Sequence, residues 1–447
     1  MFSTISNAFK IPDLRKRIFF TLFLLIVFRF GAHIPVPGLD PTAMKAFLGN
    51  GLDLFSMFNV FTGGAFSNAT VMALGVSPYI NASIIIQLLT VAIPALERLA
   101  KEGVEGRKKI NKITRYLGIV LAFVQGAGLY VTLHNMGVDP RYNGIKPIAN
   151  ENVLSFFVIV LTFVAGTAFI IWLGELITEK GLGNGVSMII YAGIVSSIPS
   201  GTIAIYNQYL APGVISVKGV VIAAAILIVA ILAITLVVLF NTAERKIPVQ
   251  YAKRVVGRKM YGGQSTNIPI KVVMGGVMPI IFASSIMAFP ATIVRLVTGG
   301  NIPTSGIWNT ILGCLSAGLS TKWWTYLVYA VLYFLLIIFF TYFYSSIQFN
   351  PIELANNMKK SGGYIPGYRP GKPTSDFITK VSSRLNFAGA IFLGIIAVLP
   401  IVVGAIFGIN GLQIGGTSLL IMEGVALETV QQMESQMVMR HYKGFLE

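Results

Sequence analysis

Carboxylates and histidines are the side chains that carry acid–base and metal chemistry, and here they are few and scattered. The three histidines, His33, His134 and His441, lie in different loops and in the C-terminal tail. Neither a His-Glu-x-x-His spacing nor a Walker motif occurs. Ionisable residues at membrane depth are few: Arg29 near the outer end of the first apolar segment, Glu175 and Glu179 near the inner end of the fourth, and Glu423 and Glu428 in the last. A charge at membrane depth costs at least ~2.5–3.5 kcal/mol and persists only where it has a role, as in the paired groups of proton- and ion-coupled transporters. Glu423 alone lies deep enough, and one carboxylate does not make a relay. Gly181-Leu-Gly-Asn-Gly185 is rich in glycine, but it sits where a turn enters the next apolar segment. The single cysteine, Cys314, excludes an internal disulfide and offers no metal site. The expectation is a chain that is not an enzyme and binds no cofactor or metal.

The elements that carry these residues belong to a membrane. Hydrophobic residues are 55% of the 447 and charged ones 11%, against about 25% charged in soluble domains; the mean hydropathy is +0.75. The apolar runs suit helices of about 20 residues crossing roughly 30 Å of hydrocarbon, and they lack the short alternation of barrel strands. Ten spans are expected, at about 18–34, 71–93, 114–133, 153–176, 184–200, 215–240, 272–297, 323–345, 385–407 and 415–433. No cleavable signal peptide is expected, because Arg29-Phe-Gly-Ala-His33 follows the first apolar run in place of a small-residue site.

Basic residues give the orientation. Lys10, Arg15, Lys16 and Arg17 precede span 1. Seven basic residues follow span 2, seven follow span 6 and six follow span 8; with Lys180 after span 4 and Arg440 and Lys443 in the C-terminal tail, 27 of the 34 Lys and Arg fall on one side. That side is assigned to the cytoplasm, with both termini.

A short motif occurs twice, as GVSPYINASIII at Gly75–Ile86 and GVMPIIFASSIM at Gly276–Met287, with seven of twelve positions identical. A weaker pair relates Gly185–Ile190 to Gly416–Ile421. Span 2 then corresponds to span 7 and span 5 to span 10. Five spans per half is odd, so the halves, residues 1–200 and 201–447, are expected to be inserted upside down relative to one another. Sites between such repeats are the usual route for substrate.

The apolar, aromatic segment Leu52–Ser67 is too short to cross. Gly63-Gly64 would end a helix of about three turns there. A re-entrant half-helix inside a pore and an interfacial helix on the outer surface are both open to it, since irregular backbone at membrane depth needs a cavity or protein around it. The segments Glu244–Lys271 and Gln348–Arg384 are long for connections. They mix basic residues with Gly, Tyr and Pro, which suits either orientation alone or docking of an acidic or motor partner.

These residues also carry a resemblance. Phe28-Arg-Phe-Gly31, Ile34-Pro-Val-Pro-Gly38, Phe58-Asn-Val-Phe-Thr-Gly-Gly64, Pro78–Leu89, Gly183-Asn-Gly185, Tyr251-Ala-Lys-Arg254, Gln264-Ser265, Phe282-Ala-Ser-Ser285, Pro366-Gly-Tyr-Arg-Pro-Gly371 and Gly415-Gly-Thr-Ser418 follow in order. In them the chain resembles the SecY/Sec61-alpha family, the channel subunits of protein translocases, over essentially its whole length. The resemblance implies an all-α polytopic membrane protein, a clamshell of two five-helix halves around an hourglass channel that moves unfolded preproteins across the plasma membrane.

Carried over by motif, an aliphatic pore ring falls on Val76, Ile80, Val186, Ile190, Ile281 and Ile421. A narrow apolar ring wets poorly and grips no particular sequence. The plug falls on Leu54–Gly64, with Leu54, Phe55, Met57, Phe58, Val60, Phe61, Gly63 and Gly64. A lateral gate between spans 2–3 and 7–8, open to membrane lipid, places Asn81, Gln87, Ser284, Ser285 and Phe289 at its lining, where polar groups would tune opening. Lys253, Arg254 and Arg369 fall where the ribosome or the SecA ATPase docks. The implied partners are SecE, SecG, SecA, the ribosome, signal sequences and the exported chain. Glu423 departs from the aliphatic residue expected there; two residues from Ile421 it turns about 200°, toward a neighbouring helix or an accessory subunit. An inverted-repeat secondary transporter is the alternative, disfavoured by the plug-like segment and docking loops. An intramembrane protease lacks its paired residues.

Overall fold

The structure, a computed structural model, describes residues 2–49, 59–136, 147–148, 151–209, 217–251, 254–256, 259–261, 265–297, 307–315, 323–407 and 416–443. In chain order these form α1 (Phe2–Lys10), α2 (Pro12–Gly31), α3 (Pro41–Gly49), α4 (Ser77–Ala92), α5 (Pro94–Lys101), α6 (Val104–Met136), α7 (Val153–Lys180), α8 (Gly185–Tyr209) and α9 (Val217–Thr242). Strands β1 (Glu244–Tyr251), β2 (Arg254–Val256), β3 (Lys259–Tyr261) and β4 (Ser265–Lys271) follow. The remainder is α10 (Met278–Val297), α11 (Ile307–Leu315), α12 (Trp323–Gln348), α13 (Pro351–Lys360), β5 (Gly363–Tyr364), α14 (Lys372–Phe407) and α15 (Gly416–Lys443).

A long helix stands at each of the ten expected spans. Among the described residues, six helices are long and apolar enough to cross a membrane by themselves, or seven if α4 and α5, bent by 101° at Ile93, count as one span. Helix α9 carries exposed Val221, Leu227, Ile228, Ile231, Leu232 and Leu239, a surface suited to hydrocarbon and unsuited to water.

Two boundaries differ from expectation in the same way. The second and seventh spans begin as helix at Ser77 and Met278, about six residues later than the apolar runs suggest. In each, a left-handed glycine, Gly75 or Gly276, breaks the helical path, and a proline in the first turn, Pro78 or Pro279, needs no amide partner there.

Packing order also recurs. Helices α4, α6, α7 and α8 pack in sequence, each on the next, and α10, α12, α14 and α15 do the same. The two series meet where α10 contacts α4 and α6, and where α8 contacts α15; α9 packs on α8 and α15.

At the basic end, α1 packs on α2 and α15. Ala8, Leu14, Leu182 and Met433 are buried together there. The glycine-rich 181–185 segment is a turn whose amides already have partners. Leu182 N–H donates to Thr21 Oγ1 at 3.0 Å and Gly183 N–H to Gln432 Oε1 at 2.6 Å. Asn184 Oδ1 then accepts from the first amides of α8.

The two long basic connections are not loops. Strand β1 pairs antiparallel with β4, from Glu244 opposite Lys271 to Gln250 opposite Ser265, and β5 adds to its other edge. Ile247 and Val249 alternate inward along β1. They join Ile270, Met358, Ile365 and Ile378 in a separate buried cluster. Both connections therefore build one ordered platform. Helix α14 starts in that platform at Lys372, well before the apolar run at 385.

Candidate functional site

Four helices deliver aliphatic side chains to one place. Val76, Ile190, Ile281 and Ile421 are buried in a single cluster, and Ile80 and Val186 pack against it. Val76 and Ile80 stand four apart at the start of α4, and Val186 and Ile190 stand four apart at the start of α8, so each pair shares a helix face. Ile281 and Ile421 each lie in the first turns of α10 and α15. All six ring positions read from the sequence thus come together. Val277, the repeat counterpart of Val76, also packs there; aligning the two motifs would have found it. Nothing polar beyond backbone is needed to hold such a ring, because the lining atoms have no hydrogen bonds to satisfy.

Val60 and Phe61 belong to the same cluster. Residues 59–61 are helical, and the helix ends in a Schellman arrangement. Gly63 N–H donates to Val60 O at 3.1 Å and Gly64 N–H to Asn59 O at 2.8 Å, with φ of 63° at Gly63 and 86° at Gly64. Asn59 Oδ1 also accepts from Ser67 N–H at 2.9 Å. The described end of this segment is buried among the helices rather than spread over the surface. Leu54, Phe55, Met57 and Phe58 lie outside the described residues.

One neighbour of this segment stood out in the sequence only as a charge at membrane depth, with no partner assigned. Arg29, in the last turn of α2, donates from Nη1 to Gly63 O at 2.8 Å. The signal available was its position: an arginine at membrane depth with no acidic partner in the sequence near it.

Helix α10 packs against α4 and α6 along a seam. Ile84 of α4 is buried in one cluster with Ile280, Phe282, Ala283 and Met287 of α10. Asn81 and Ser285 are half-buried, Ser284 is buried, and Phe289 is 46% exposed. Two of the polar groups expected to act across the seam bond within their own helices. Gln87 Nε2 donates to Ser83 Oγ at 3.3 Å and Ser284 Oγ to Ile281 O at 2.9 Å, the nearest acceptors a helix offers. Apolar packing, not interhelical hydrogen bonding of these two, covers the seam.

Glu423 points away from the ring, as its offset from Ile421 requires. It is 7% exposed and accepts from Asn241 Nδ2 at 2.6 Å through Oε2. Asn241 lies at the end of α9, so the partner is a neighbouring helix of this chain.

On the platform, Arg369 is exposed in a turn between Gly367 and Gly371, whose φ are 87° and 111°. Thr374 Oγ1 donates to Arg369 O at 2.8 Å, and Tyr368 stacks on Phe377 at 4.2 Å. The guanidinium is thus presented on a fixed backbone. Arg254 opens β2, and Lys253 lies outside the described residues. At the α5–α6 elbow, hydrogen bonding to Lys101 at 2.6 Å holds the Glu97 carboxyl below its usual pKa.

This arrangement defines a multi-pass helical membrane protein with a buried aliphatic cluster where four helices and the end of a short segment, residues 59–64, converge. The SecY family model matches residues 70–430. The protein translocase subunit SecY of Streptomyces galbus is 44% identical over 452 residues, covering all of both chains. A solved SecY protein, whose plug domain is described as stabilising the closed state of the translocation channel and maintaining a membrane seal, matches with a TM-score of 0.65 at 20% identity, over 95% of this chain and 92% of that one. Sec61 in the canine ribosome–channel complex from the endoplasmic reticulum matches with a TM-score of 0.62 at 18% identity, over 95% and 93%. The chain belongs to the SecY family.

Proposed function

We propose that this chain is the central subunit of a protein-conducting channel in a bacterial plasma membrane. Unfolded preproteins cross through the ring of Val76, Ile80, Val186, Ile190, Ile281 and Ile421. Transmembrane segments leave sideways into lipid between spans 2–3 and 7–8, past Asn81, Gln87, Ser284, Ser285 and Phe289. The segment Leu54–Gly64 is the plug. Residues 1–200 and 201–447 are two inverted halves of five spans each, and both termini are cytoplasmic.

The observation that carries this reading is the meeting of six aliphatic side chains with Val60 and Phe61 in one buried cluster. An apolar waist resists water and ions when narrow, yet binds no passing side chain strongly enough to stall it. A transporter would need a polar midplane site, and the waist is apolar. Energy comes from partners: the platform that presents Arg369, with Lys253 and Arg254, docks the SecA ATPase or the ribosome. The Sec61 structure similar to this chain is itself part of a ribosome–channel complex. SecE and SecG complete the channel.

The test is substitution of the ring. Ile281→Asn and Ile421→Asn hydrate the waist and loosen its closed state, so export of a precursor with a defective signal sequence rises. Unchanged export in both variants contradicts the pore.

A further inference from the structure

The end of the re-entrant segment rests in a seat with a polar wall and a glycine floor. On one side, Arg29 Nη1 donates to Gly63 O at 2.8 Å. On the other, the backbone of α8 comes so close that a Cβ on Gly193 would lie 2.2 Å from Phe61 O. A Cβ on Gly63 would in turn lie 2.4 Å from Ser196 Oγ and 3.0 Å from Gly193 Cα. The fit therefore depends on two glycines facing one another and on one cation.

A carbonyl at the end of a helix is one of the backbone groups left without an intrahelical donor. In an apolar surrounding it needs a partner, and a guanidinium gives it a charge-assisted hydrogen bond, roughly twice as strong as a neutral one. Arg29 in turn gains from this bond, because a half-buried cation near the membrane interior lacks water. Each group satisfies the other only while the segment is seated.

We infer that Arg29 is a positioning residue that latches the plug shut by holding the Gly63 carbonyl, with Gly193 and Ser196 forming the rest of the seat. The inference rests on the pore reading above and adds to it the means by which the closed state is kept. The latch grips backbone, so plug side chains can change without releasing it. Opening breaks one strong bond at one point, after which the plug is free to leave as a unit. Arg29 stays on α2, whose residues Leu24 and Phe28 are buried in the ring cluster, so the latch half that remains is ready for reclosure.

The experiment is resting potassium leak from lipid vesicles that hold the channel complex with its partner subunits, at matched protein content. Arg29→Ala is expected to raise the leak roughly ten- to hundred-fold, the factor that loss of a hydrogen bond to a charged group makes in an open–closed equilibrium. Arg29→Lys keeps a cationic donor and is expected to stay near the parent level, which a merely structural loss of the arginine would not give. Gly193→Ala, which unseats the plug from the other side, is expected to leak like Arg29→Ala. It decides the matter if Arg29→Ala does not accumulate. Ile281→Asn serves as the control for the pore itself. A tight Arg29→Ala or Gly193→Ala beside a leaky Ile281→Asn overturns the latch and leaves the pore standing. Arg29→Lys leaking as much as Arg29→Ala also overturns it. Tight vesicles with every variant overturn both.

Discussion

Gly75 and Gly276 adopt the same left-handed backbone conformation, with φ of 56° in each. Each ends a turn closed by its own amide, to Met72 O at 2.9 Å and to Val273 O at 3.5 Å. Each is followed one turn later by a ring isoleucine whose amide bonds the intervening valine, Ile80 to Val76 O at 3.0 Å and Ile281 to Val277 O at 3.3 Å. The repeated motif is thus a device that starts a helix late and aims its first turn at the shared aliphatic cluster.

The two glycines differ in what surrounds them, which gives a prediction. Alanine at either position meets the left-handed strain, roughly 1–2 kcal/mol. At Gly276 a Cβ has open space, whereas at Gly75 it would lie 2.5 Å from Thr62 Cγ2, beside the end of the short helix at 59–61. Gly276→Ala should lower thermal stability modestly and leave the resting channel tight. Gly75→Ala should lower stability further and raise resting ion leak. Equal leak from the two variants contradicts the asymmetry.

Asn241 is the hydrogen-bond partner of Glu423 Oε2, and Glu423 Oε1 is buried with no hydrogen bond among the described residues. Asn241→Leu removes the remaining bond from a buried carboxyl group, which costs about 2–3 kcal/mol. Replacing both residues, Asn241→Leu with Glu423→Leu, removes the unsatisfied group and should recover most of that loss. Thermal unfolding of the purified complex measures both. A double variant as unstable as the single contradicts the pairing.

Arg369 is exposed, so its substitution should cost little stability. Arg369→Glu reverses a charge on a fixed turn and should weaken binding of SecA or the ribosome severalfold to tenfold or more, mainly through slower association. Membrane insertion of the channel should be unchanged. Binding at the parent level, measured at low salt where such contacts are strongest, contradicts the docking role.

Much of this was legible in the sequence, for physical reasons. Apolar runs report spans because lipid forces every backbone amide to bond within its own helix. The meeting of these aliphatic side chains was legible because the two repeat pairs place Ile80 with Ile281 and Ile190 with Ile421. The platform was not, because basic and glycine-rich composition masked the alternation of Ile247 and Val249. Late helix starts were missed because hydropathy is blind to the sign of φ at Gly75. The partners of Gly63 and Glu423 lie 34 and 182 residues away, and no local pattern reports contacts at that separation.

The most direct test of the channel is contact with a chain in transit. A photoreactive residue is placed in turn at Val76, Ile80, Val186, Ile190, Ile281 and Ile421, and at the outward, exposed Leu232 of α9 as a control, while a preprotein is stalled midway. Crosslinks to the preprotein from the ring positions, lost when the preprotein is released, and none from Leu232 are the predicted result. A stalled preprotein that crosslinks to Leu232, or to none of the six, contradicts a route through this waist.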